Sequence, residues 1–229
     1  MPKEAHFSPA LFAFLRELKA NNSRPWFQAN KERYEREVRE PMLCFIADFG
    51  VEARKISPYI VADPRKAGGS MFRIHRDIRF SKDKSPYKTS AAARFSHADG
   101  RDVHAPGFYL HMEPGQVFAG AGVWRPDATT LGRIRDAIVA EPEGWRRALS
   151  GKAFKAHCAL GGAALKRPPR GYDPDHPLIE DLKRKDFITV SRFTERDACA
   201  ADFLSRFTRA CRAAAPLQKF LTAALGVPW

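Results

Sequence analysis

The spacing of apolar residues changes twice along this chain, and those changes limit the folds that it can adopt. Up to about residue 70, apolar residues recur every three or four positions, as on one face of an α-helix. From Met71 to Trp124 they mostly alternate with polar residues, which is typical of half-buried β-strands, and helical spacing then returns. We therefore predict an α+β fold with a central, mostly antiparallel sheet that is flanked by N-terminal and C-terminal helices.

Four segments carry the alternation that predicts strands. They are Phe72–Phe80, Ala91–Phe95, Phe108–Glu113 and Gln116–Trp124. The sequence EPGQ (113–116) joins the last two, and its Pro-Gly pair favours a tight hairpin. A further strand is predicted over residues 186–193.

The N-terminal region carries signals for helix starts. Ser8 is a favoured N-cap residue and Pro9 suits the first helical position. A second helix is predicted from residues 23–25. Pro41 should kink or break this helix because it cannot donate a backbone hydrogen bond, and helix should continue over 42–56.

The C-terminal region predicts a helix after Trp124 and two closing helices over residues 199–214 and 216–226. No internal repeat, linker or low-complexity segment interrupts the sequence. Hydrophobic residues make up 44% of the chain, which is sufficient for a core without disulfides or metals. We therefore predict a single α+β domain over residues 1–229.

The formal net charge of +13 favours acidic partners, namely nucleic acid, phosphorylated metabolites or an anionic membrane surface. An arginine-rich coding bias would produce the same excess without any ligand. The cysteines show no CxxC spacing, which argues for reduced thiols in the cytosol. No apolar run approaches the roughly 18 residues that span a bilayer. We therefore predict a cytoplasmic protein that has no membrane partner.

The most heavily charged stretch is FRIHRDIRFSKDKSPYK, residues 72–88. On a pleated strand, an apolar face would be formed by Phe72, Ile74, Ile78 and Phe80. The opposite, polar face would be formed by Arg73, His75, Asp77 and Arg79. Arg76 interrupts the apolar face, so it must meet a carboxylate, backbone carbonyls or a bound anion, unless a bulge turns it outward.

This stretch also predicts anion recognition. Guanidinium groups on a rigid strand can hold a phosphate or carboxylate bidentately, while His75 and Asp77 orient them. The adjoining residues 81–88 combine lysines with small polar residues, as in a phosphate cradle, although they match no Walker motif. The predicted ligand-binding residues are Arg73, Arg76, Arg79, Lys82, Asp83, Lys84, Tyr87 and Lys88.

The same stretch carries a resemblance to a known bacterial family. Its pattern Arg73, Arg76–Asp77, Arg79–Phe80, Asp83–Lys84, Tyr87 resembles the signature of the family called domain of unknown function 2461. The blocks NNSRPWF (21–27), GAGVWRP (120–126) and PRGYDPDHP (169–177) resemble its recurring blocks. The resemblance implies one full-length domain with the charged strand as its hallmark, and it supplies no catalytic residues.

A metal site has weaker support. The available ligands would be His75, Asp77, His111, Glu113, Asp173, Asp175 and His176. Their spacing matches no known ligand pattern, and aspartates before proline more often cap turns. We predict no metal site, and the residues indicate no particular cofactor or oligomeric state.

Three hypotheses about function remain. The leading one is a phosphate-bearing ligand at residues 73–88, on which His75 or Asp77 would perform acid–base chemistry if the protein is an enzyme. The second is nucleic-acid binding, with Tyr87 or Trp124 as a stacking platform. The third is a structural arginine–aspartate network, including Arg76 and Asp77, that fixes the sheet against the N-terminal helices.

Overall fold

The computed structural model describes residues 4–99 and 106–229. Its helices are α1 (Pro9–Ala20), α2 (Arg24–Ala29), α3 (Lys31–Tyr34), a π-helical turn (Glu35–Arg39), α4 (Glu40–Ile56), α5 (Ala128–Ala140), α6 (Pro142–Ser150), α7 (Lys152–His157), α8 (Ile179–Leu182), α9 (Glu195–Ala198) and α10 (Phe203–Ala224). Its strands are β1 (Ile60–Val61), β2 (Ala91–His97), β3 (Gly107–Glu113), β4 (Gln116–Val123), β5 (Ala159–Gly161) and β6 (Phe187–Phe193).

In the described part of the chain, the strands form one sheet in the order β1-β2-β3-β4-β6-β5, with every neighbouring pair antiparallel. The predicted hairpin joins β3 to β4, and Gly115 in its turn has a φ of +79°, which glycine adopts without steric cost. The predicted α+β class, with helices around an antiparallel sheet, is confirmed.

One face of the sheet is buried by helices. Phe108, Leu110 and Met112 of β3 are fully buried in a cluster with side chains of α1, α4 and α10. Burying one such side chain contributes about 2–3 kcal/mol, so the alternation in β3 determines which face turns inward. Helix α10 also contributes Leu217 and Leu221 to a second cluster with α5 and α6, and it thereby joins both parts of the interior.

The opposite face of the sheet is only half-buried. We call it the open face and define it by Tyr109, His111 and Glu113 of β3 with Phe118 and Gly120 of β4. In the register of the hairpin, Tyr109 lies opposite Gly120 and His111 lies opposite Phe118. Because side chains alternate along a strand, these residues project away from the helices.

Helical winding continues through Pro41, where the sequence predicted a kink or a break. The Glu40 N–H donates to the carbonyl of Glu35, five residues earlier, so the turn over Glu35–Arg39 is π-helical. Pro41 then lies in the first turn of α4, where a missing N–H costs little. One widened turn just before Pro41 therefore takes the place of the predicted kink or break, and the helix predicted over 42–56 is found within α4.

The closing helices predicted over 199–214 and 216–226 are in fact one helix, α10, with Pro216 inside it. Buried side chains lie on both sides of this proline, including Ala214 and Leu217. Packing of the two flanking turns therefore outweighs the lost backbone hydrogen bond. The predicted division at residue 215 is wrong.

The segment Phe72–Phe80, predicted as a strand, is not one. It belongs to none of the strands of the sheet, and His75 instead forms an isolated bridge with Tyr87, further along the same segment. Of the predicted apolar face, Ile74 is buried but Phe80 is 95% exposed. The segment therefore pairs with its own continuation. Burial still alternates along it, with Ile74, Arg76 and Ile78 less exposed than their neighbours, but Phe72 and Phe80 at its two ends are exposed.

Candidate functional site

The charged stretch, which we call the charged loop (residues 72–88), folds back on itself. The Arg76 N–H donates to the Pro86 carbonyl at 2.9 Å, and the Lys88 N–H donates to the Ile74 carbonyl at 2.8 Å. These two bonds hold the ends of the loop antiparallel, as in a short hairpin. The residues between them form a largely exposed tip.

The charged loop is anchored to the N-terminal helices through Tyr87. The Asn22 amide, in the connection between α1 and α2, donates to the Tyr87 carbonyl at 3.0 Å and accepts from the Tyr87 N–H at 3.1 Å. The Tyr87 ring stacks on Phe27 of α2, with 4.1 Å between the ring centroids. Tyr87 is only 6% exposed, so its ring covers the core and is not available as a stacking platform.

Arg76 meets a carboxylate, one of the partners that its position requires. Its guanidinium donates to Asp83, and Asp83 also accepts from the Ser85 hydroxyl at 2.6 Å and the Ser85 N–H at 2.9 Å. The hydrogen bonds from Ser85, followed by the contact with Arg76, hold the pKa of Asp83 far below its usual range. Asp83 therefore closes the tip of the loop and fixes the orientation of Arg76.

Arg79 and Asp77 form a second, exposed pair at the tip. The Arg79 Nε donates to Asp77 at 2.9 Å, and a terminal nitrogen donates to its other oxygen at 2.7 Å. The hydrogen bonds from Arg79 lower the pKa of Asp77. Because both partners come from the loop itself, neither this pair nor the pair of Arg76 with Asp83 ties the sheet to the N-terminal helices.

The remaining cations of the loop differ in their surroundings. Lys84 donates to the Ile78 carbonyl at 3.1 Å, and Lys88 donates to the Arg73 carbonyl at 2.7 Å. Burial, and then the nearby charge of Arg73, lower the pKa of Lys88. Within the described residues, the side chains of Arg73 and Lys82 make no hydrogen bond or ion pair, so both are available to an anion.

A cleft of about 570 Å³ lies between α2 and the charged loop. Helix α2 places Arg24 and Gln28 on one wall, since residues four apart share one face of a helix. Its lining residues are Arg24, Pro25, Gln28, His75, Arg76, Ile78, Pro86 and Tyr87. None of these described lining residues carries a carboxylate. The positive charges at the walls are those of Arg24 and of Arg76, of which Arg76 is paired with Asp83.

The cleft brings together only part of the predicted site. Of the predicted residues, His75, Arg76 and Tyr87 line it. The others lie elsewhere on the charged loop, and they are Arg73, Asp77, Arg79, Lys82, Asp83, Lys84 and Lys88. Sequence reasoning missed Arg24 and Gln28, although their spacing of four on a predicted helix was a usable signal.

The residues considered for a metal site serve other roles. His111 lies between Tyr109 and Glu113 on the open face. Asp173 accepts the N–H of Asp175 at 2.9 Å, which is a turn contact. Among residues 4–99 and 106–229, no group of three or more His, Cys, Asp and Glu side chains is placed to hold a metal ion.

The comparisons with known proteins give one match. The model of a family described as "Conserved hypothetical protein (DUF2461)" matches residues 10–220 of the 229-residue chain. No curated protein and no solved structure matches the sequence. The matched range contains the charged loop, the cleft and every strand of the described sheet. In the part of the chain that the structure describes, no helix has both the length and the apolar character needed to cross a membrane.

Proposed function

The chain belongs to the DUF2461 family of conserved hypothetical proteins, and we propose that it binds a small phosphate-bearing ligand in the cleft between α2 and the charged loop. The observation that carries this proposal is the sign of the charge around the cleft. Arg24 and Arg76 approach from opposite walls, and Gln28 and His75 add hydrogen-bonding groups. Because no described lining residue is acidic, an anion meets no like charge at the walls of the cleft.

The two arginines have different roles in this proposal. Arg76 is oriented by Asp83 and uses only part of its guanidinium for that contact, which leaves further N–H donors for a ligand. Within the described residues, Arg24 makes no hydrogen bond or ion pair and is free to close on the ligand. A preoriented guanidinium and an unpaired one together suit bidentate contact with phosphate oxygens.

The size and lining of the cleft favour an organic phosphate. Its volume of about 570 Å³ falls in the range of small-molecule sites. Pro25, Ile78 and Pro86 give it apolar surface beside the basic groups. A sugar phosphate or a nucleotide would use both kinds of surface, whereas inorganic phosphate would use only the basic groups.

The cations outside the cleft contribute at longer range. The charged loop also carries three cations that do not line the cleft, Arg73, Lys82 and Lys84. They raise the positive potential near the cleft, which speeds the arrival of anions at low salt. If the protein is an enzyme, His75 is the better acid–base candidate, because its ring lines the cleft while Asp77 does not and is held by Arg79.

The proposal is tested by calorimetric titration of the purified protein with phosphate, pyrophosphate, sugar phosphates and nucleotides at low salt. Arg24→Ala should weaken binding of the best ligand at least tenfold without lowering the melting temperature, since this side chain is exposed and lacks partners. Arg79→Ala should weaken it less, through steering alone. Arg133→Ala, which removes an exposed arginine on α5, is the matched control.

Binding that survives Arg24→Ala unchanged would place the ligand outside the cleft. No binding by any phosphate compound would end the proposal. A melting temperature that falls with Arg24→Ala but not with Arg133→Ala would give Arg24 a structural role instead.

Nucleic-acid binding is the second candidate. Tyr87 is buried under the loop and cannot stack on a base, so Trp124 is the remaining platform of the two that the sequence offered. Trp124 is 61% exposed, and the guanidinium of Arg125 lies 4.6 Å from its ring centroid. Oligonucleotide affinity that falls steeply with salt and is lost in Trp124→Ala would favour this candidate.

We also propose a cytoplasmic location. Cys44, Cys158, Cys199 and Cys211 are all unpaired thiols, and all four lie in the described part of the chain. Burial raises the pKa of Cys158, Cys199 and Cys211, which makes these thiols poor nucleophiles. Free thiols of this kind persist in a reducing compartment.

A further inference from the structure

A chain of hydrogen bonds crosses the open face of the sheet, away from the cleft. The Thr89 hydroxyl donates to Glu113 at 3.0 Å, and the other Glu113 oxygen lies 3.3 Å from His111 Nε2. His111 Nδ1 in turn lies 3.0 Å from the Tyr109 hydroxyl. The chain therefore links a carboxylate, an imidazole and a phenol in sequence.

The partners assign the tautomer of His111. An ionised carboxylate only accepts, so the proton of the neutral imidazole lies on Nε2 and points to Glu113. Nδ1 then carries a lone pair that accepts the hydrogen bond of the Tyr109 hydroxyl. An imidazole that is oriented by a carboxylate and accepts from a hydroxyl is the arrangement that activates hydroxyl groups for chemistry.

Aromatic contacts hold this chain in position. The Phe118 ring stacks on the His111 ring, with 4.8 Å between centroids and 20° between planes. Phe72 packs edge-on against Tyr109 at 6.1 Å. His111 and Phe118 are also cross-strand neighbours in the β3–β4 hairpin. Side chains that are locked on rigid strands are preorganised, as acid–base chemistry requires.

We propose that the open face carries a second site, separate from the cleft, at which Tyr109 exchanges a proton with a hydroxyl group of an anionic ligand. The ligand hydroxyl gives its proton to the Tyr109 oxygen as the Tyr109 proton moves to His111 Nδ1. The product is an oxyanion on the ligand and an imidazolium whose charge Glu113 balances. The reverse transfer protonates the ligand, and no other co-reactant is needed.

Two arginine side chains near Tyr109 indicate that the ligand is an anion. Arg192 of β6 is exposed and lies opposite Phe118 across the strands, so its side chain is on the open face. Arg73 follows Phe72, which packs on Tyr109. Within the described residues neither arginine side chain has a hydrogen bond or ion pair. A ligand with a carboxylate or phosphate group would complement these charges.

The pKa of the Tyr109 hydroxyl allows proton transfer to His111 to be tested. Burial, and then the charge of Glu113, raise the pKa of Tyr109 to about 12. At neutral pH its phenolate is therefore scarcer than that of an ordinary tyrosine. Rapid reaction of this hydroxyl with an electrophile would require His111 to take the proton, because a large phenolate population is not there to react.

The test uses 4-(fluorosulfonyl)benzoic acid, an aryl sulfonyl fluoride that carries a carboxylate. In the labelling step the Tyr109 oxygen bonds to sulfur, the S–F bond breaks, fluoride leaves and the phenol proton passes to His111. Peptide mass spectrometry follows labelling at pH 7.5 for Tyr109 and, in the same molecule, for Tyr59. Tyr59 is also half-exposed and stacks on His97, but its hydroxyl has no hydrogen bond within the described residues.

We expect Tyr109 to react at least tenfold faster than Tyr59. His111→Gln should remove most of that advantage, Glu113→Gln should remove part of it, and neither should change labelling of Tyr59, which reports that the fold is intact. Tyr109 that reacts no faster than Tyr59, or a rate that survives both substitutions, would reduce the chain to a structural feature. Equal labelling by benzenesulfonyl fluoride, which lacks the carboxylate, would overturn the anionic class of the ligand.

Discussion

Strand β3 and the segment Phe72–Phe80 have similar alternating sequence patterns, yet only β3 is a strand. In β3 the apolar positions enter the core, and both edges pair with neighbours, β2 on one side and β4 on the other. The segment Phe72–Phe80 instead turns back and pairs with residues 86–88. Alternation of apolar residues therefore produces a strand of the sheet only where the chain also finds a partner strand.

The polar and charged side chains of the two regions also find their hydrogen-bond partners in different ways. Charged groups of the charged loop find partners within a few residues, as Asp77 does with Arg79 and Asp83 does with Ser85. On the open face, the polar contacts of Tyr109 and His111 run along β3, which is held in place by the sheet. Hydrogen bonds between side chains a few residues apart stabilise the folded-back loop, whereas the hydrogen bonds along β3 are compatible with an extended strand.

The largest expected difference between the two regions is in packing. Phe108→Ala, in β3, should lower the free energy of unfolding by about 3–5 kcal/mol, because the side chain is fully buried and leaves a cavity. Phe80→Ala, in the segment that resembles β3 in sequence, should change it by less than about 0.5 kcal/mol. Denaturation by urea measures both, and similar losses would show that Phe80 is packed in solution.

The anchor of the charged loop should give an intermediate effect. Asn22→Ala leaves the N–H and carbonyl of Tyr87 without their partners, which should cost about 1–3 kcal/mol and speed tryptic cleavage after Lys82 or Lys84. Asn21→Ala, next to it, removes one exposed bond to a helix carbonyl and should cost less than about 1 kcal/mol. Equal cleavage rates in the two variants would mean that Asn22 does not hold the loop.

The smallest effect concerns the protonation of Asp83. Its pKa is lowered in the folded protein from an ordinary value of 3.8, so its contribution is fully present above pH 3.8 and is lost as the pH falls through the lower, folded value. The amide NMR signal of Ser85 should therefore titrate below pH 3.8, and Asp83→Asn should abolish this titration. Ser85→Ala should raise the midpoint more than Arg76→Gln does, because Ser85 provides the larger effect. A wild-type midpoint at or above 3.8 would contradict the geometry of the loop tip.

Sequence reasoning identified most of the fold because the decisive signals were local. The hairpin followed from a Pro-Gly turn between two alternating segments, and the helix from Pro9 followed from its start signals. It failed where distant packing decided the outcome. Pro216 was expected to divide two helices, but the burial of Ala214 and Leu217 around it keeps α10 continuous.

The candidate site was predicted only in part for a similar reason. The charged loop was recognised from its own residues, among them His75 and Arg76, which line the cleft. The opposite wall comes from Arg24 and Gln28, about fifty residues earlier, and no pattern in the sequence states that α2 and the loop meet. The contact depends on hydrogen bonds between the Asn22 side chain and the backbone N–H and carbonyl of Tyr87. Because any residue at position 87 would offer the same carbonyl, and almost any the same N–H, the sequence does not reveal this pairing.

The position of α10 in the chain has a consequence for biosynthesis. This helix contributes Phe207 and Cys211 to the cluster beneath the sheet and Leu217 and Leu221 to the second cluster, yet it is made after every strand. While the ribosome completes the last turns, the apolar side of the sheet lacks its principal cover. The complete core can therefore form only after the turns of α10 have emerged from the exit tunnel.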